Sequence, residues 1–154
     1  MLPDMYTLTT SGKIISIFSC AGSECPIIYL NTFSNEGQKV FEAAQAASCP
    51  PFTLVAISDL DWNHDMVPWD SPPAFKNADP CTGGADDYLQ LLTEEIIPMA
   101  EKEITGVPCW RGIAGYSLAG LFALQHLPDG CILPCGQYVW ISLVSRNEGV
   151  HLLP

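Results

Sequence analysis

Along the chain, apolar and polar positions first alternate and then merge into short solid runs. Met5–Thr10 and Lys13–Ser19 both have the look of strands, and the Ser11-Gly12 dipeptide between them suits a tight turn. The chain therefore opens with an antiparallel hairpin. Pro26–Leu30, Phe52–Ile57 and Trp110–Tyr116 are continuous apolar runs, the pattern of strands buried on both faces. Between the first two, Asn35 is a candidate N-cap for a helix over Gln38–Ala47, with Val40, Phe41 and Ala44 at helical spacing. Cys49-Pro50-Pro51 ends that helix, because proline has no N–H to continue it.

Ser58–Gly84 is rich in proline, carries Trp62 and Trp69, and shows no period, so it is expected to be a long loop. Disordered segments are poor in aromatics, so the two tryptophans argue for a packed, functional loop. Asp86 and Asp87 open a second helix reaching about Glu103, with Leu89, Leu92, Ile96 and Ala100 on one face and a kink expected at Pro98. Leu118–Gln125 begins a third helix. A hairpin followed by alternating strands and helices predicts an α/β fold with a mostly parallel sheet and right-handed crossovers. No repeat or interdomain linker interrupts it.

Composition narrows the function classes. At 154 residues there is one core, and 48% apolar residues with 15% charged ones describe a globular chain. A net charge of −11 with six Lys and Arg excludes the clustered cations that nucleic acid or an anionic membrane surface would need. Neither a signal peptide nor a membrane span is expected: Asp4 stands where early cations would be, and the apolar runs are too short. The seven cysteines form no C-x-x-C pair. They are expected to be unbridged thiols of a cytoplasmic protein, neither a disulfide framework nor a zinc ribbon.

The chemistry-bearing motif is Gly115-Tyr116-Ser117-Leu118-Ala119-Gly120, where a buried strand meets a helix. A serine hydroxyl is a weak nucleophile until a base takes its proton and its Oγ is held open to a carbonyl. A sharp strand-to-helix turn provides that exposure, and small flanking residues let the strained backbone pack. The Leu118 N–H at the helix start would face a developing oxyanion. A second donor is expected from Asn31-Thr32-Phe33, with Thr32 the candidate. The competing reading is a glycine-rich packing turn with Ser117 as a cap. Asp61, His64 and Asp65 could be drawn as a metal cluster, but a pocket-lining or loop-stabilising role suits them better; no metal and no cofactor are expected.

The motifs Y-L-N-T-F, L-V-A-I-S-D-L-D-W-N-H-D-M-V-P-W, G-G-A-D-D-Y-L-Q-L-L-T-E-E-I-I-P and I-A-G-Y-S-L-A-G-L-F-A-L occur in that order. Together they resemble the serine esterases of the esterase D and enterochelin-esterase type, over roughly residues 5–125. The resemblance implies the N-terminal portion of an α/β-hydrolase fold and a small-molecule ester substrate. It further implies a Ser–His–Asp/Glu triad with Ser117 as nucleophile, and no cofactor. Asp61–Trp69 matches a loop near the substrate pocket in such enzymes, which makes Trp62, Asn63 and His64 candidate pocket residues. Siderophore esterases tend to carry an arginine in that region; Asn63 and His64 stand here, which speaks against a catecholate-siderophore substrate.

The resemblance stops near Gln125, dividing the chain into a partial hydrolase domain (1–125) and a non-family tail (126–154). Only Asp129, Glu148, His126 and His151 remain as candidate acids and bases, without the strands that normally separate them. Where the family continues with approximately A-S-x-S-G-S-x-W-F, this chain reads H-L-P-D-G-C-I-L-P-C-G-Q-Y-V-W-I-S-L-V-S-R-N. Codons for His126–Asn147 can be chosen so that a one-nucleotide shift encodes I-C-R-T-D-A-F-C-R-A-G-S-M-C-G-S-R-W-F-P-G-M. The tail is therefore expected to be out of frame, the alternative being that Gln137–Val144 is a sixth strand. A hydrolase fragment of little activity is expected. The other reading is a non-catalytic ligand-binding or interaction module on the same scaffold, and whether a histidine reaches Ser117 separates the two.

Overall fold

Ser11 and Gly12 both take positive φ (48° and 75°), as a two-residue hairpin turn requires. They join β1 (Met5–Thr10) to β2 (Lys13–Phe18) in the register Thr10↔Lys13 to Met5↔Phe18. The computed structural model describes residues 5–20 and 22–125 and the backbone of 138–143. The three solid apolar runs become β3 (Ile27–Asn31), β4 (Thr53–Ser58) and β7 (Arg111–Tyr116). β2 pairs antiparallel with β4, whereas β4, β3 and β7 are mutually parallel neighbours. The sheet order β1-β2-β4-β3-β7-β8, where β8 is Tyr138–Leu143, reverses direction at β3, since the chain steps to one side for β4 and returns to the other for β7. In open α/β sheets the crevice at such a reversal, beyond the carboxyl ends of the strands, is where ligands bind.

Strand alternation divides the core into two layers. Ile15, Ile17, Ile27, Tyr29, Val55, Ile57 and Ile113 face one side, against Tyr88, Leu92, Ile96, Ala100 and Phe122. Phe18, Leu30, Leu54, Ala56 and Ala114 face the other, covered by Phe41 of α1 (Gly37–Ala46). Phe41 stacks on Phe18 and meets Phe52 edge-on. The predicted cap is displaced: Asn35 sits at φ +54°, and Glu36 precedes the first helical residue.

Pro98 cannot donate to the carbonyl four residues back, that of Glu94, and its ring crowds the same oxygen. The expected disruption takes the form of a π turn at Leu92–Ile96, between α3 (Ala85–Leu91) and α4 (Ile97–Lys102). The bidentate Arg111–Glu101 pair, at 2.6 and 2.8 Å, ties the start of β7 to α4, and the Tyr29 hydroxyl donates to the same carboxylate.

Two expectations require correction. Ser58–Gly84 is not structureless: it contains the short helix α2 (Trp62–Asp65) and the two-residue ribbon β5 (Asp70–Ser71) and β6 (Cys81–Thr82). Polar side chains inside it supply the local hydrogen bonds that a search for apolar periodicity overlooks. Nor are all cysteines free thiols: Cys20 and Cys25 are bridged across the connection from β2 to β3, while Cys49, Cys81 and Cys109 are free. Among the described residues no helix is long and apolar enough to cross a membrane.

α5 (Leu118–Gln125) follows β7, and the backbone of β8 (Tyr138–Leu143) lies parallel to β7, from Arg111↔Tyr138 to Tyr116↔Leu143. A strand thus stands where the alternative reading of the tail put one. The rest of residues 126–154, with His126, Asp129, Glu148 and His151, lies outside the described residues.

Candidate active site

Ser117 links β7 to α5 at φ +51°, the left-handed region that non-glycine residues rarely adopt. Its residue is exposed, its carbonyl accepts from the N–H groups of Gly120 and Leu121, and its hydroxyl has no hydrogen-bond partner among the described residues. The turn depends on Gly115. A Cβ there would come within 2.4 Å of the Ala119 carbonyl carbon and oxygen, so only glycine lets strand and helix approach this closely. Leu118 is the first residue of α5, so its N–H is one of the unpaired donors at a helix N-terminus.

The loop after β3 lies against the same turn. Its Phe33 N–H donates to the Tyr116 hydroxyl at 2.8 Å, and that hydroxyl donates to Glu36 Oε1 at 2.9 Å. The Ser34 N–H donates to the same carboxylate. Burial holds the Tyr116 phenol above its ordinary range; the Phe33 hydrogen bond opposes this, and the Glu36 carboxylate adds to it. The assignment of Thr32 as oxyanion donor is corrected by its own bonds. Its N–H and its hydroxyl both donate to the Ile57 carbonyl, at 2.9 and 2.8 Å, and its side chain is fully buried. The next N–H in the chain, that of Phe33, is the one turned toward the residue beside Ser117.

Of the three candidate pocket residues, the structure brings one to this turn. The Trp62 ring lies 5.7 Å from that of Tyr116 and meets Phe33 edge-on at 5.3 Å. Asn63 and His64 point elsewhere: Asn63 Nδ2 donates to the Asp79 carbonyl, and His64 Nδ1 shares a 2.8 Å hydrogen bond with Thr82 Oγ1. The His64 ring covers Gly84, where a Cβ would collide with it. Successive helical residues are turned by about 100°, so a helix of this length cannot present all three to one cleft. Both polar residues hold the 70–84 excursion in place.

Asp65, named in the sequence as a candidate for a loop-stabilising role, belongs to a buried polar cluster with Lys13, Tyr88 and Asn31. Lys13 Nζ sits 2.7 Å from Asp65 Oδ2 and 5.9 Å from the centre of the Tyr88 ring. Asp65 also accepts the Asp61 N–H. The Tyr88 hydroxyl donates to Asn31 Oδ1 at the end of β3, while Asn31 Nδ2 is buried without a partner. Burial, and then the charge of Asp65, push the Tyr88 phenol well above its ordinary range. Asp65 and His64 are thus committed to different partners, and no three metal-ligating side chains converge among the described residues. The period-based reading passed over Tyr88 because a tyrosine at i−4 from Leu92 reads as one more core residue; Phe33 and Tyr116 were visible only as members of motifs.

Known proteins share this fold. The Esterase family model, described as "Putative esterase", matches residues 1–127. Among solved structures, the BES protein from Bacillus cereus is 20% identical with a TM-score of 0.61, over 82% of this chain and 58% of that one. The siderophore hydrolase EstA from Aspergillus nidulans is 18% identical with a TM-score of 0.59, over 82% and 52%. The enterobactin esterase FES from Shigella flexneri, determined in the presence of enterobactin, is 14% identical with a TM-score of 0.56, over 84% and 34%. At these identities the likeness is one of fold: the N-terminal portion of an α/β-hydrolase. The chain spans about a third to three-fifths of the length of these structures.

Proposed function

We propose that this chain, which belongs to the esterase family, is a carboxylic-ester hydrolase whose nucleophile is Ser117. One observation carries the reading: an exposed serine at φ +51° between a buried strand and a helix, on a turn that only Gly115 permits. A left-handed, solvent-facing serine is costly by about 1–3 kcal/mol, and such strain persists at sites where presentation of the side chain matters. In the reaction, Oγ bonds to the ester carbonyl carbon, the Leu118 N–H stabilises the oxyanion, and the C–O bond to the alcohol breaks. A base removes the serine proton, and water then releases the acid. The Phe33 N–H becomes a second donor if the Tyr116 hydroxyl gives it up.

No histidine bonds Ser117 among the described residues, so turnover by this chain is proposed to be weak. An elbow serine with an oxyanion donor but no base retains on the order of 10³–10⁴ over the uncatalysed rate, far short of a complete triad. The test is p-nitrophenyl acetate hydrolysis by the 154-residue protein and by Ser117→Ala. A small rate that disappears in Ser117→Ala is the expected result. A rate identical in the variant would overturn the nucleophile assignment and favour the non-catalytic binding module. Fast Ser117-dependent turnover would overturn the proposal of weak activity and bring His151, with Asp129 or Glu148, forward as base and acid.

A further inference from the structure

Three aromatic rings form a continuous strip ending at the residue before the proposed nucleophile. Phe33 meets Trp62 edge-on, Trp62 leans on Tyr116, and Tyr116 immediately precedes Ser117. The outer member of the strip is the one least covered: Phe33 is 62% exposed, a phenyl ring left in water. It is nevertheless held in place, because its own N–H is bonded to the Tyr116 hydroxyl, which Glu36 anchors in turn. An isolated exposed phenylalanine is ordinary. One fixed by its backbone to the residue beside an exposed serine, with a second ring against it, is a preformed apolar surface joined to the turn that carries that serine.

The charges restrict what this surface accepts. Among the described residues the carboxylate bonded to the strip is that of Glu36. Among the described residues Lys13 is paired with Asp65 and Arg111 with Glu101, and no cation is stacked on Phe33, Trp62 or Tyr116. The whole chain carries −11. Among the described residues Lys39, Lys76 and Lys102 are in no ion pair with Glu36 and are stacked on none of these rings. An anionic acyl group therefore meets net repulsion, whereas an uncharged aryl group gains ring-to-ring contact with Phe33 and Trp62. Resting on the reading of Ser117 as nucleophile, we propose that the Phe33–Trp62–Tyr116 strip is the acyl-group subsite, selecting uncharged esters with an aromatic acyl group and disfavouring anionic ones.

The experiment uses the full chain and three p-nitrophenyl esters: acetate, phenylacetate and hemisuccinate. The shared leaving group cancels in the ratios. Acylation of Ser117 releases p-nitrophenolate and gives the serine proton to the buffer base, so the rate of the first turnover is read at 400 nm (about the phenolate maximum), and the acyl-serine by mass. Binding of unreactive phenylacetamide is measured in parallel by titration, for wild type and Phe33→Ala, a change at an exposed position that the fold tolerates. The expected result is acylation by phenylacetate about tenfold faster than by hemisuccinate, about the factor given by 1.4 kcal/mol. In Phe33→Ala the ratio of phenylacetate to acetate acylation should fall several-fold, and phenylacetamide should bind correspondingly more weakly. Equal acylation by all three esters, or a preference unaltered in Phe33→Ala, overturns the subsite while leaving the nucleophile assignment standing. If no ester acylates Ser117, the nucleophile assignment fails and the titration decides the strip alone: phenylacetamide binding that ignores Phe33→Ala overturns it.

Discussion

Replacing Gly115 by alanine adds one methyl group at the closest approach of β7 and α5. The new Cβ would lie 2.4 Å from the Ala119 carbonyl carbon and oxygen and 2.8 Å from its Cβ. Carbon atoms in contact prefer about 3.5–4.0 Å, so strand and helix must separate by roughly 1 Å. Neither atom at 2.4 Å belongs to a side chain that could swing away; both are backbone. Overpacking of this kind costs about 1–3 kcal/mol and occasionally more, and the rigid neighbour places Gly115→Ala at the upper end, about 3 kcal/mol. For a chain of this size that is a fall in Tm of about 6–12 °C. The same displacement moves Ser117 relative to the Leu118 N–H, and a 1 Å misplacement costs about 100-fold in rate. Thermal unfolding by circular dichroism and Ser117 labelling by a fluorophosphonate report the two effects separately. Gly12→Ala is the control: it sits at positive φ (75°), unlike Gly115, and has nothing within 4 Å, so it should lose about 1 kcal/mol and keep its labelling rate. A Gly115→Ala protein melting within about 2 °C of wild type and labelling normally would refute the argument.

Lys13→Met should destabilise the protein by about 3–5 kcal/mol by leaving Asp65 buried and unpaired, and Lys13→Met with Asp65→Leu should recover much of that; urea unfolding of both variants measures it. The Tyr88 phenol is raised well above its ordinary value of 10.0, first by burial and then by Asp65. Its contribution is therefore complete below about pH 10. It is lost above that as the unfolded chain ionises while the folded one stays protonated. Urea midpoints should accordingly fall as pH rises past about 10, with Tyr116 adding in the same direction, and Tyr88→Phe should flatten that decline; an unchanged slope would contradict the burial of this phenol.

The strands, helices and sheet class were legible because the periods that reveal them arise from burial, and burial governs the core. Ile27–Asn31, Thr53–Ser58 and Arg111–Tyr116 are each within about a residue of where their apolar runs place them. The turn at Ser117 was legible for a different reason: small residues at fixed spacing around a serine report a backbone too close for side chains, and the Gly115–Ala119 contact is that constraint. What could not be read is which way a short helix turns its residues. Trp62, Asn63 and His64 are adjacent in sequence, yet one reaches Tyr116 and the other two hold a loop through Asp79 and Thr82. Thr32 failed for a related reason, since a free N–H and one spent on a neighbouring strand look alike until Ile57 is seen beside it. The Lys13–Asp65 and Tyr88–Asn31 contacts span 52 and 57 positions, distances at which no local pattern can pair one polar residue with another. They matter to the site through one point: Asn31 ends β3, and the chain leaving it carries Phe33 to Tyr116. A buried polar anchor on one side of that two-residue link and a hydroxyl clamp on the other leave the Phe33 N–H little freedom to wander. The Phe33 N–H is therefore placed by tertiary contacts, whereas the turn that carries Ser117 is set by a local motif.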